Sequence, residues 1–231
     1  MKLRFKSFCY ALPVMILLFC TTKSSGNWAK TYGGTRYEFF YSVQQTNDNG
    51  YIVAGTTNSF GAGLQEIWLL KLDSSGIVQW QKTYNGTSYA IAFSVQQTSD
   101  GGYIVLVYDS TLLKLDSSGV VQWQKKYRYG DYLIKSVQQT SDNGYILAGG
   151  HRLLKLDTSG TVEWQKTYGG TQFDTQFEFF YSVQQTSDGG YIVLVYDSTL
   201  LKLDSSGVVQ WQKKYRYGDD LIKSVQQTSD N

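Results

Sequence analysis

Residues 93–131 read FSVQQTSDGGYIVLVYDSTLLKLDSSGVVQWQKKYRYGD, and most of the chain restates them. Within this stretch, four short runs rich in Val, Ile, Leu, Tyr and Trp are separated by turn-forming clusters, which reads as four strands. The opening Ser-Val-Gln-Gln-Thr recurs at 42–46, 94–98, 136–140, 182–186 and 224–228, at spacings of 52, 42, 46 and 42 residues. The closing strand recurs around Trp28, Trp80, Trp123, Trp164 and Trp211. A period of this length suits a four-stranded unit and exceeds what a helix-hairpin repeat needs. Residues 182–231 match 94–143 except that Asp220 replaces Tyr132, so the copies should be structurally interchangeable.

The turns identify the hairpins. Ser99-Asp100-Gly101-Gly102 separates the first strand from the second, and Asp116-Ser117-Ser118-Gly119 the third from the fourth. Asp and Ser accept local backbone hydrogen bonds there, and Gly supplies positive φ. The second strand, from Tyr103 to Tyr108, is apolar on both faces, as expected of a strand covered on both sides. In the fourth strand Val121, Trp123 and Tyr127 should share one face and Gln122, Gln124 and Lys126 the other, which makes it the outer, half-wet strand. Four-stranded sheets that cannot bury themselves alone stack radially as the blades of a β-propeller. The expected fold is therefore all-β. Full repeats are placed at about 42–84, 94–127, 136–168 and 182–215, with partial end strands at 28–32 and 224–231. The first blade should use strands at about 42–46, 51–55, 67–72 and 77–83. With a lone fourth strand at one end and a lone first strand at the other, the ring is expected to be incomplete, leaving open sheet faces for self-association. Each repeat Trp should bury up to about 250 Å² between blades, an upper bound of about 5 kcal/mol.

The first 26 residues are of another kind. Lys2, Arg4 and Lys6 precede an apolar run from Phe8 to Cys20, followed by small or polar residues to Gly26, which is the order of a secretory signal. The run is short for a membrane span. Lipidation at Cys20 is disfavoured by bulky Phe19, where a small residue is expected. The domain reading is thus a signal peptide at 1–26 and a repeat domain at 27–231, exported to the medium or the cell surface with no membrane span once the signal is removed. The whole chain carries 21 basic and 19 acidic residues, but Lys2, Arg4, Lys6 and Lys23 fall in the signal, leaving 17 against 19. No nucleic-acid footprint survives that correction. Cys9 and Cys20, the two cysteines of the chain, also lie in the signal, which excludes a disulfide framework, a thiolate nucleophile and a cysteine metal site from 27–231.

The segments LLKLDSSGVVQW at 112–123 and 200–211, LLKLDSSGIVQW at 69–80 and LLKLDTSGTVEW at 153–164 resemble the tryptophan-docking repeat of the pyrroloquinoline-quinone dehydrogenase type of β-propeller. The same repeat runs through outer-membrane assembly lipoproteins. The Gly-to-Trp spacing matches that motif, whereas the Asp-to-Gly turn is one residue shorter. With Tyr-Gly-Gly after Trp28 and Trp164, the unit is similar to secreted bacterial and archaeal propeller repeats. The resemblance covers about 27–231 and implies fold rather than activity, since propellers host unrelated functions. The quinone pocket of that family uses a vicinal disulfide and calcium-binding carboxylate and amide side chains that have no counterpart here, so no cofactor is expected.

Candidate chemistry is thin. His151, the only histidine, lies in Gly149-Gly150-His151-Arg152 without the partners of a metal site or nucleophilic triad, and reads as a turn residue. The turns at 47–50 and 141–144 lack the bidentate Glu of a calcium loop and read as hairpin turns; no metal site is expected. Glu38 and Glu178 precede matching Phe-Phe-Tyr segments, and Asp131 and Asp219 are equivalent. These carboxylates sustain an alternative reading as a glycan hydrolase or lyase. A non-enzymatic binding or scaffold role is better motivated. In a radial blade the constant hairpin turns share one face, while 56–66, 127–132, 169–179 and 215–220 vary in length and emerge on the other. Variable loops on a rigid scaffold are where recognition sits. Arg128, Tyr129, Arg216 and Tyr217 are the candidate contacts, pairing cations with aromatics that suit an extracellular glycan or protein.

Overall fold

The computed structural model describes residues 28–62, 65–84, 90–127, 133–168, 180–196, 198–215, 222 and 225–228. Every regular element among them is a strand. Blade 1 comprises β1 (Glu38–Gln45), β2 (Tyr51–Thr57), β3 (Glu66–Leu72) and β4 (Val78–Tyr84). Blade 2 comprises β5 (Ala92–Gln97), β6 (Tyr103–Val107), β7 (Thr111–Leu115) and β8 (Val121–Lys126). Blade 3 is β9 (Ile134–Gln139), β10 (Tyr145–Gly149), β11 (Arg152–Leu156) and β12 (Val162–Thr167), and blade 4 is β13 (Phe180–Gln185), β14 (Tyr191–Val195), β15 (Thr199–Leu203) and β16 (Val209–Lys214). Each blade is an antiparallel meander with its strands in sequence order. The fold is all-β as expected, and β1 begins four residues earlier than the repeat suggested, because Glu38–Phe40 continue the ladder onto Gly55–Thr57.

Of the partial end segments, 28–32 and 225–228 lie within the described residues and carry no strand assignment. A strand requires a backbone ladder with a neighbour, and among the described residues neither segment has one; both are seated by side chains instead.

The repeated turns hold themselves. In the first hairpin Asp100 Oδ1 accepts from Thr98 Oγ1 and from Gly102 N. In the second, Asp116 Oδ1 accepts from Ser118 N at 2.9 Å and Val120 N at 2.8 Å, an Asx turn closed by Gly119 at φ 78°. All residues of β6 and β7 are buried, including Lys114. Its ammonium donates to Asp100 Oδ2 at 2.7 Å, Leu115 O at 3.0 Å and Gln122 Oε1 at 3.0 Å, so all three protons are used. Lys71, Lys155 and Lys202 repeat the contact with Asp48, Asp142 and Asp188. A buried ammonium is tolerated because it is paired and hydrogen-bonded. The turn aspartate therefore serves as the lysine's counter-ion, which accounts for its presence in every copy.

One face assignment is corrected. Lys114 pairs with Trp123 but Leu115 with Val121, leaving Gln122 as an extra residue. This bulge rotates Gln122 toward Lys114 and leaves Val121 41% exposed, off the Trp123 face. Lys125 takes its place beside Trp123 and Tyr127 on the half-buried side.

Blades join by two devices. Near the rim, the outer-strand Trp meets the Tyr opening the second strand of the next blade edge-on: Trp80 with Tyr103 at 5.8 Å, Trp123 with Tyr145 at 5.9 Å, and Trp164 with Tyr191 at 5.9 Å. Four residues on, Tyr84 and Tyr168 donate to the turn carbonyls of Gly119 (2.7 Å) and Gly207 (2.6 Å), and Tyr127 does the same to Gly160. Near the axis, Ser-Val-Gln-Gln-Thr works as a latch. Gln44 Oε1 accepts from the backbone of Gln97 at 2.6 Å, and Gln97 Oε1 accepts from Asn47 N at 2.8 Å, so the two blades bind reciprocally. Ser42 Oγ accepts from Val95 N at 3.2 Å, Val95 packs in the core, and Thr98 serves its own turn. Each of the block's five positions thus has a structural task where two blades meet.

Candidate functional site

The inner strands surround an axial channel of about 540 Å³, lined by Gln44, Ser94, Gln96, Ser136, Gln138, Ser182, Gln184 and Gln226 together with Lys135. Apart from Lys135, the wall is uncharged and mostly polar, built from the Ser and Gln of the latch.

A second bulge recurs in the inner strand of all four blades. In β1 Phe40 pairs with Gly55 and Ser42 with Ala54, so Tyr41 is left out of the ladder. The same skip ejects Phe93 from β5, Lys135 from β9 and Tyr181 from β13. A bulged residue is free to re-aim its side chain. Tyr41 meets Phe93 edge-on at 5.8 Å, and Lys135 Nζ lies 5.7 Å from the Phe93 ring centroid. Phe93 also packs on Tyr108 at 5.4 Å, and Tyr181 on Tyr196 at 5.5 Å. Burial, and then the neighbouring Tyr196, pushes the Tyr181 phenol up. The result is a partial collar where the inner strands begin: Tyr41, Phe93 and Lys135 are in contact in series, Tyr181 packs apart on Tyr196, and of the four Lys135 lines the channel. The blade-to-blade connections enter at that same end, so the collar belongs to the variable face. Sequence reading passed over these four positions. The signal was available: they directly precede Ser-Val-Gln-Gln-Thr and vary, as Tyr, Phe, Lys and Tyr, beside a block that does not.

Arg128, Tyr129, Arg216 and Tyr217, and the carboxylates Asp131, Glu178 and Asp219, lie outside the described residues. Arg128 and Tyr129 fall in the connection leading into β9 and Lys135. Of the repeat tryptophans, Trp80, Trp123 and Trp164 are half-buried between blades, whereas Trp28 and Trp211 are exposed. Glu38 is engaged locally. Hydrogen bonds from Ser59, Gly34 and Thr57 hold its carboxyl below the ordinary range, opposite to what a general acid needs. His151 occupies the turn position of Ser110 and Ser198, and its carbonyl accepts from Tyr168 N as theirs accept from Tyr127 and Tyr215. Among the described residues there is no group of three or more His, Cys, Asp or Glu positioned to hold a metal ion.

No family model and no curated protein matches the chain. Solved structures do. A Bacteroides caccae protein of unknown function is similar with a TM-score of 0.59 at 15% identity, over 83% of this chain and 71% of that one. A catalytically inactive virginiamycin B lyase from Staphylococcus aureus, with quinupristin, gives 0.60 at 9% identity over 78% of this chain and 57% of that one. The Pan2 WD40 domain of Neurospora crassa gives 0.57 at 12% identity, over 76% of this chain and 49% of that one. The chain thus spans about half the length of the lyase and the WD40 domain. At these identities the likeness concerns fold alone, and the fold they share with this chain is the β-propeller.

Proposed function

We propose that the chain is an exported, non-enzymatic binding or scaffold module that takes an extended glycan at the mouth of its axial channel. The observation carrying this reading is the partial collar: bulges at equivalent positions leave Tyr41, Phe93, Lys135 and Tyr181 out of their ladders, with Tyr41, Phe93 and Lys135 in contact in series and Lys135 lining the channel. Aromatic faces stack on sugar rings, the ammonium of Lys135 pairs with acidic or hydroxyl substituents, and Ser and Gln offer both donors and acceptors. Arg128, Tyr129, Arg216 and Tyr217, which fall in variable connections of the sequence, are the further contacts this reading calls for. The tryptophan-docking resemblance enters as a structural kinship, because the Trp and turn Gly of that motif are consumed by blade packing. Export rests on the order of residues 1–26.

A glycan array followed by a turnover assay tests the proposal. Binding without product, lost on Lys135→Ala while the thermal melt is unchanged, is the expected result. Turnover of a bound glycan abolished by Glu178→Gln would replace this reading with the hydrolase or lyase one.

A further inference from the structure

Two faces of the described structure lack the partner that every other blade has. On the leading side of blade 1, Val43 is 66% exposed, whereas its counterparts Val95, Val137 and Val183 are 2%, 2% and 4% exposed. Phe40 is 39% exposed, against 0% for Ala92, 4% for Ile134 and 3% for Phe180. On the trailing side of blade 4, Trp211 and Tyr215 are 39% and 52% exposed, where Trp80, Trp123 and Trp164 are half-buried.

Each face is instead capped by a short imitation of the missing strand. Trp28, Lys30 and Tyr32 reproduce the Trp-x-Lys-x-Tyr spacing of Trp211, Lys213 and Tyr215. Trp28 meets Tyr51 at 5.9 Å and 72°, and Trp80 meets Tyr103 at 5.8 Å and 71°. Tyr32 Oη donates to Gly76 O at 2.7 Å, as Tyr84 does to Gly119 O at 2.7 Å. On blade 4, Gln227 N donates to Gln184 Oε1 at 2.8 Å and Ser187 N to Gln227 Oε1 at 2.8 Å, which is the interblade latch again. Both caps therefore sit in seats built for authentic strands of this same repeat.

We propose that a second copy of the chain exchanges these caps, docking the trailing face of blade 4 head-to-tail on the leading face of its partner's blade 1. The occupant is specified by chemistry. Blades 2, 3 and 4 already accept this Trp-x-Lys-x-Tyr strand through Tyr103, Tyr145 and Tyr191, and blade 1 presents Tyr51 at the equivalent place. Exchange replaces each cap contact by an equivalent one, and the net gain is burial of Phe40, Val43, Trp211 and Tyr215, which the caps leave uncovered.

Sedimentation velocity and light scattering on the full chain over a concentration series test this. Loosening the cap with Trp28→Ala and Tyr32→Phe together should strengthen association at least about tenfold, and Trp211→Ala should weaken it by a similar factor. Val43→Asp, placed on a side chain already exposed in the free chain, should leave the melt unchanged and abolish association in both the wild-type and cap-loosened backgrounds. Monomers throughout for wild type and cap-loosened variant alike would overturn the proposal. So would association that Val43→Asp leaves untouched, because assembly would then use another surface.

Discussion

Gly119 carries two constraints at once. Its φ of 78° lies in the left-handed region, and a Cβ there would stand 3.1 Å from Tyr84 Oη and 3.2 Å from Trp80 Cη2 of the preceding blade. Gly119→Ala should therefore cost about 1–3 kcal/mol, read as a lower urea midpoint with an unchanged slope. Gly101 has a similar φ of 80°, but a Cβ added there would meet nothing within 4 Å, so Gly101→Ala should cost less, through backbone strain alone. The lysine and aspartate pairs make an equally local prediction about pH. The hydrogen bond from Lys71, followed by that from Thr46, holds the Asp48 carboxyl down to about 2. For Asp142 burial alone would raise the value, and Lys155 with Thr140 outweigh it, to about 2. A carboxyl depressed in the folded state contributes stability above its unfolded value of about 3.9, and that contribution disappears as pH falls through its folded value. Melting temperature should accordingly decline between about pH 4 and pH 2, and Asp142→Asn should flatten that decline.

At the scale of the element, the outer strand has two different energetic lives depending on whether a blade follows it. In β8, Trp123 packs against the cluster of Tyr145, Leu147 and Leu156, whereas in β16 all six residues are exposed. Trp123→Ala should cost about 2–4 kcal/mol, below the full-burial estimate because the ring is half-buried, and Trp211→Ala less than about 1 kcal/mol. Chemical denaturation of the two variants checks this, and equal losses would contradict it. The tyrosine clamp adds an alkaline limb. Burial, then the charge of Asp157, pushes Tyr127 up to about 12. A phenol raised in the folded state contributes stability below its unfolded value of about 10, which is lost as pH rises through the folded one. Tyr127→Phe should remove its share of the loss between about pH 10 and 12.

Across the molecule, each blade touches its sequence neighbours through the same rim and axis contacts, so stability is close to a sum of blade and nearest-neighbour terms. Blades 2 and 3 have neighbours on both sides. Amide exchange should therefore be slowest in β6, β7, β10 and β11 and fastest in β1 and β16, with protection of these last two rising under conditions where the chain associates. Uniform protection across the sixteen strands of the described residues would contradict nearest-neighbour stacking.

The sequence by itself determined the blade. Period, turn residues and apolar runs place every hairpin, because Asp, Ser and Gly act on their own backbone and need nothing distant. Ser-Val-Gln-Gln-Thr marked the inner strand without revealing its task, since Gln44 meets Gln97 only when consecutive blades face each other. Nothing local to Lys114 shows its task either, since its counter-ion Asp100 lies fourteen residues away and reaches it only in the folded blade. Val121 was assigned to the wrong face because a bulge shifts the two-residue period and leaves no mark in composition. The collar is the clearest case of a tertiary decision. Tyr41, Phe93, Lys135 and Tyr181 sit 52, 42 and 46 residues apart in the chain. Only packing of successive blades, each with the equivalent position pushed out of its ladder, brings Tyr41, Phe93 and Lys135 into contact.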